Sequence, residues 1–152
     1  MATSMQEPRP LIAALGTYYD STRDLSWLVV RLTAGGMLLV HGLNKVMNVG
    51  IATFATNSMA RRGIEPAMAA AYMIFFLETI GAFCIILGLF TRFFAAAAAI
   101  HLCVVMFIHM PQGFAWAARG YEYPLFWGLI LFAIALRGGG PYSLDRKIGR
   151  EL

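Results

Sequence analysis

Four long stretches of the chain are almost wholly apolar, and short polar breaks separate them. The first runs from about Leu25 to Val46, the second from about Pro66 to Phe90, the third from about Phe93 to Met110 and the fourth from about Tyr123 to Leu136. A helix crossing a hydrocarbon core of about 30 Å needs roughly 20 such residues. Pro66 suits a first helical turn, where its missing N–H is no loss. The link Gly88-Leu89-Phe90-Thr91-Arg92 is short enough to make the second and third spans antiparallel neighbours. Pro111 and Gly113 end the third span, and Arg137 with Gly138-Gly139-Gly140-Pro141 ends the fourth. The pattern predicts an all-α fold, an integral membrane four-helix bundle.

The flanking segments carry weaker periodicities. Leu11, Ile12, Leu15, Tyr18 and Tyr19 recur at helical spacing and predict a short interfacial helix, ended by Asp20 or Ser21. The loop 47–65 has room for a second, with Ile51, Phe54 and Met59 on its apolar side. This divides the chain into a leader (1–24), a four-span domain (25–137) and a basic tail (138–152). Glu7, Arg9, Asp20, Arg23 and Asp24 interrupt the stretch where a signal peptide would need its apolar core, so the first span is expected to act as an uncleaved anchor.

Composition sharpens this picture. Apolar residues make up 59% of the chain and charged residues 13%, against roughly 45–50% and 25% in globular proteins. That excludes a soluble enzyme and a disordered tail. The net charge of +4 is spread over loops, with no basic patch interleaved with aromatics, so no nucleic-acid partner is expected. Arg9, Arg23, Arg31, Arg92, Arg137, Arg146, Lys147 and Arg150 fall on the side of the termini, while Lys45, Arg61, Arg62 and Arg119 fall on the other. The positive-inside rule therefore predicts cytoplasmic N- and C-termini. Cys84 and Cys103 sit inside apolar runs without metal or redox spacing and read as packing residues.

The candidate chemistry lies in the ionisable residues at membrane depth. Each costs at least about 2.5 kcal/mol to insert and belongs in the bundle interior or a watery cavity. Topology gathers His41, Lys45, Glu78, His109 and the more peripheral Glu122 in the outer half. His41 and Lys45 share a helix face at i, i+4 spacing. His101 falls about 12 Å deeper than His109. Arg31 and Arg92 stand apart near the cytoplasmic face as structural polar residues, long enough to reach the headgroups; Lys45 could snorkel outward in the same way. Gly35, Gly36 and Gly42 read as helix-packing contacts.

Several readings of the cluster stay open at this point. Glu78 could be neutralised structurally by Lys45 or His41. His41, Lys45 and Glu78, with His109 on the rim, could form a quinone-facing or proton-relay site, because a quinone needs donors at its carbonyls and a group that moves protons. His41 with His101 or His109 could ligate a metal or haem. Transport of a small solute is a fourth reading, although the repeated, broken helices of transporters are missing.

The segments Arg31-Leu32-Thr33-Ala34-Gly35-Gly36, His41-Gly42-Leu43-Asn44-Lys45, Glu78-Thr79-Ile80-Gly81 and Leu87-Gly88-Leu89-Phe90-Thr91-Arg92, and the ending Gly138-Gly139-Gly140-Pro141-Tyr142-Ser143-Leu144-Asp145, resemble the DoxX family in order and spacing. The likeness runs from about Trp27 to Arg146. It implies a small four-helix membrane protein of a bacterial or archaeal cytoplasmic membrane. The family name comes from a subunit associated with a terminal quinol oxidase; relatives are linked to thiosulfate:quinone oxidoreduction or described as membrane partners of redox or detoxification enzymes. Arg31, His41, Lys45 and Glu78 match the family's polar positions, and the resemblance supplies no role for any of them. Taken together, these features suggest a membrane subunit of a quinone-linked redox system. The alternative is a non-catalytic scaffold or assembly subunit of a larger complex. In either case the partners are the bilayer and other membrane subunits or further copies of the chain.

Overall fold

The computed structural model of the protein describes residues 10–152; Glu7 and Arg9 of the leader lie outside them. Among the described residues all regular structure is helical. Helix α1 spans Ala14–Val49, α3 spans Ala67–Leu87, α4 spans Thr91–His109 and α5 spans Glu122–Arg137. A short helical segment, α2 (residues 51–62), links α1 to α3, and α6 (Leu144–Ile148) lies in the C-terminal tail.

Helix α1, α3, and α4 with its short extension to Gln112 are long and apolar enough to cross a membrane. Helix α5, at 16 residues, reaches about 24 Å and packs along α4. Large apolar side chains such as Val40, Met73, Phe83, Ile100, Phe107, Leu129 and Phe132 point outward and more than a third exposed. Such a continuous apolar exterior is suited to lipid, and the protein is a membrane protein.

The separate leader helix does not exist, because α1 runs unbroken through Asp20 and Ser21. The hydroxyls of Ser21 and Thr22 donate back to the carbonyl of Tyr18 at 2.8 and 2.9 Å, and Asp20 pairs with Arg23 one turn on. These polar groups are satisfied within the helix and give the chain no reason to stop. Segment α2 does form, and Met59 is buried with Ala55 against Ala71 of α3, with Ile51 and Phe54 packed beside them.

The core is built from small residues. Ala34, Ala82, Ala95 and Ala98 are buried with Leu38, Ile85, Leu131 and Ile134. Without a hydrophobic drive between lipid-immersed helices, association rests on close packing, and small side chains permit it. A Cβ on Gly35 would lie 2.7 Å from Ile86 of α3, and one on Gly42 would lie 2.6 Å from the Glu78 carbonyl oxygen. Gly36 meets nothing within 4 Å, so it takes no part in this contact.

At the other end of the bundle the tail is a strap. Asp145 is buried and accepts from the backbone N–H groups of Phe90 and Thr91 and from the Thr91 hydroxyl, at 2.7, 2.9 and 2.7 Å. It thereby caps the first turn of α4 from 54 residues away. Its own N–H donates to the Gly88 carbonyl, while Ser143 caps α6 by accepting from the N–H of Arg146.

Arg31 does not snorkel. It is 1% exposed and donates to the Tyr142 carbonyl at 2.6 Å, so the strap closes over it before it can reach the headgroups. Arg92 donates to the carbonyls of Ala135, Leu136 and Arg137 and pairs with Glu151. It therefore satisfies the C-terminal carbonyls that α5 would otherwise leave open. Trp27 donates to the Gly138 carbonyl at 3.0 Å, and the Arg137 guanidinium lies 4.5 Å from its ring centroid.

Removing the Asp145 carboxylate strands three donors. D145A is expected to cost about 3 kcal/mol, visible as a lowered thermal midpoint in detergent, while D20A at the exposed Asp20 leaves it unchanged. Equal midpoints for the two variants would contradict the strap.

Candidate functional site

The half of the bundle away from the strap encloses a cavity of about 620 Å³. Its polar floor is Glu78, placed near the middle of α3 with 4% of its surface exposed. The carboxylate is held from two sides. Oε2 accepts from the Lys45 ammonium of α1, and Oε1 accepts from Nε2 of His101 on α4 at 3.1 Å. Three helices thus converge on one carboxylate.

Local backbone structure makes this possible. Glu78 sits in a wide π-type turn, Leu77–Gly81, and Lys45 opens another, Lys45–Val49. Such turns inside α-helices recur at functional sites because they re-aim side chains. Gly42, one turn before Lys45, rests directly on the backbone of Glu78, so α1 approaches α3 closely enough for the ammonium to reach. Thr79 donates to the Phe75 carbonyl at 2.6 Å, satisfying one acceptor freed in the widened turn. The Lys45 ammonium also lies 5.0 Å from the ring centroid of Phe54 in α2, so the connecting segment closes over the pair.

His41, Lys45, Glu78, His101 and His109 all line this cavity. Their bonding differs. His41 is exposed, with its ring 6.2 Å from that of Tyr123. His109 donates from Nδ1 to the Arg119 carbonyl at 2.7 Å. Since a carbonyl only accepts, this fixes the proton on Nδ1 of the neutral ring and leaves Nε2 with its lone pair. By the same logic His101 holds its proton on Nε2, facing the carboxylate. Glu122 accepts from the Trp116 N–H at 3.0 Å and orders the mouth. Arg62 and Arg119 also line the mouth, and among the described residues no carboxylate pairs with either.

His101 is the residue that depth arithmetic along one helix set apart. Its partnership with Glu78 depends on the vertical offset between α3 and α4, which the sequence of either helix does not contain. The signal available was indirect: Phe90–Arg92 form a tight link, so residues about equally distant from it, such as Glu78 and His101, face each other. Trp127 also lines the cavity. Among the described residues no group of three or more His, Cys, Asp or Glu side chains is placed to hold a metal ion.

The glycine contact sets the site's geometry. G42A is expected to destabilise the protein by about 1–3 kcal/mol through overpacking, whereas G36A, in open space, gains about 0.5–1 kcal/mol of helix propensity. Thermal midpoints of the two variants in one detergent check this; a G42A variant as stable as G36A would contradict the close approach at Glu78.

Comparison with known proteins adds one finding. The family model described as DoxX matches residues 26–119, which covers most of the chain and includes α1 from Ser26 onward, α2, α3 and α4. No curated protein and no solved structure matches the chain. With Lys45, Glu78 and His101 all inside the matched segment, the chain belongs to the DoxX family.

Proposed function

We propose that this protein is a membrane subunit of a quinone-linked redox system, and that the cavity above Glu78 receives the quinone headgroup. The observation that carries the reading is the carboxylate shared by Lys45 and His101 at the floor of a mostly apolar cavity. A cavity of about 620 Å³ lies within the usual range for small-molecule sites, roughly 300–1,000 Å³. Its donors fit a ligand with two carbonyl oxygens. The Lys45 ammonium spends one N–H on Glu78 and has others to offer at the floor, and the buried indole N–H of Trp127 has no protein partner.

The chemistry assigned to the chain is proton handling. Reduction of a quinone consumes two electrons and two protons at its two oxygens. His101 Nε2 holds a proton beside Glu78 Oε1, and Lys45 Nζ holds one beside Oε2. The Lys45 ammonium can pass one of its protons upward to a quinone oxygen, and the neutral amine left beside the carboxylate is re-protonated from the mouth, while the His101 N–H keeps the carboxylate in place. His109 and His41 lie between this floor and the outer mouth and can return protons to it. The electrons come from a partner subunit, because no redox group is implied by the chain's own residues.

The same reading takes all four long helices as spans, with α5 as the shortest. It puts both termini in the cytoplasm of a bacterial or archaeal cell, where the positive-inside bias of the strap and leader favours them. The cavity then opens toward the outer face.

Glu78→Gln keeps the shape of the carboxylate but removes its charge and its proton affinity. Quinone extracted from the gently purified wild-type protein is expected near stoichiometric amounts and depleted at least about tenfold in E78Q. Because E78Q leaves Lys45 buried without a counter-charge, the double variant K45M/E78Q restores neutrality; it is expected to recover thermal stability without recovering quinone. Wild-type quinone content in both variants would remove Glu78 from the site.

A further inference from the structure

Trp127 of α5 carries a buried indole Nε1 with no hydrogen-bond partner, and the residue lines the cavity. A buried donor without an acceptor costs about 1–3 kcal/mol, and native structures leave few such groups unexplained. The other two tryptophans differ. Trp27 donates to the Gly138 carbonyl at the opposite end of the bundle, and Trp116 is exposed at the mouth.

The packing of α5 against α4 gives the level of Trp127 in the bundle. The neighbouring Gly128 faces Leu102 of α4, a Cβ there lying 3.5 Å from that of Leu102. Leu102 follows His101, so Trp127 stands at the level of the Glu78–His101 pair. The cavity therefore has donors on two walls at one depth: Lys45 on α1 and Trp127 on α5. Tyr123 and Phe126 pack edge-on against the indole at 6.1 and 5.4 Å between ring centroids, which fixes its plane and limits its rotation.

We infer that Trp127 is a ligand-positioning residue, whose indole N–H donates to an oxygen acceptor on the molecule that occupies the cavity. Under the proposed function, on which this inference rests, the acceptor is the second carbonyl of a quinone, the first being held at the floor. The selected ligand is then a planar molecule with acceptor oxygens on opposite edges. A molecule with a single acceptor oxygen satisfies one wall and leaves the other donor unpaired, which is the basis for discrimination.

The test uses the full-length protein in lipid nanodiscs, with ¹⁵N-labelled tryptophan and decylubiquinone as the probe. The three indole N–H resonances are assigned by single Trp→Phe variants. The Trp127 resonance is expected to move downfield on saturation with decylubiquinone, while Trp27 stays in place. W127F, which keeps an aromatic ring but removes the donor, is expected to weaken decylubiquinone binding about 3- to 10-fold with an unchanged thermal midpoint. Wild-type affinity in W127F overturns the inference but leaves the floor site standing. A Trp127 resonance already shielded by a neighbouring ring, and unmoved by the probe, overturns it as well, since Tyr123 or Phe126 then satisfies the donor. Failure of the wild type to bind decylubiquinone at all overturns the proposed function and this inference together. Should W127F lose stability, W127Y serves in its place, and the resonance shift in the wild type is read independently of either variant.

Discussion

A carboxylate in the middle of a membrane helix must find its counter-charge or lose its own, and Glu78 finds a counter-charge in Lys45 and a hydrogen-bond donor in His101. Lys45 and His101 reach it from different helices. Each would be expensive to bury alone, but together they neutralise one another and join α1, α3 and α4 at one point. The packing around them follows from this requirement. Gly42 must be without a side chain for α1 to approach, and the helices widen into π-type turns where the two charged residues leave the backbone. The walls above the pair are mostly apolar, so its field is weakly screened and a polar group entering the cavity meets it strongly.

The opposite end of the bundle solves a related problem by other means. Helices α3 and α4 turn sharply at Gly88–Thr91, leaving backbone donors at the start of α4. The Asp145 carboxylate supplies their acceptor, and the strap that delivers it also covers Arg31. Arg92 performs the complementary service for the carbonyls ending α5. One end of the bundle is thereby fastened by a dense set of polar contacts, whereas the other keeps its polar groups around an open space. This division assigns rigidity to one end and ligand access to the other.

Much of this was legible in the sequence because hydrophobic length is a direct physical constraint. The helical class, the apolar exterior and the antiparallel link at Gly88–Arg92 follow from it. The polar residues at depth were equally visible, since Glu78 and Lys45 stand out against their neighbours. Their partners were harder to read. His101 depended on the relative offset of two helices, and Trp127 on the rotation of α5, neither of which is encoded in local periodicity. Arg31 was misplaced for a similar reason: its length would let it reach the headgroups, and only the path of the distant Tyr142–Asp145 segment keeps it inside. The continuous α1 through Asp20 and Ser21 shows that residues favoured at helix ends do not end a helix when their side chains bond back to the preceding turn.

The central claim is that a quinone headgroup sits on the Lys45–Glu78–His101 floor. The most direct measurement is photo-crosslinking with an azido-quinone in native membranes, followed by mapping of the labelled residues. The account predicts label confined to cavity-facing positions of α1, α3, α4 and α5, such as Leu38, Ile74, Leu102 and Trp127, and suppressed by excess unlabelled quinone. Label spread over the lipid-facing Phe83, Ile100 and Phe132, or unaffected by competitor, would contradict it.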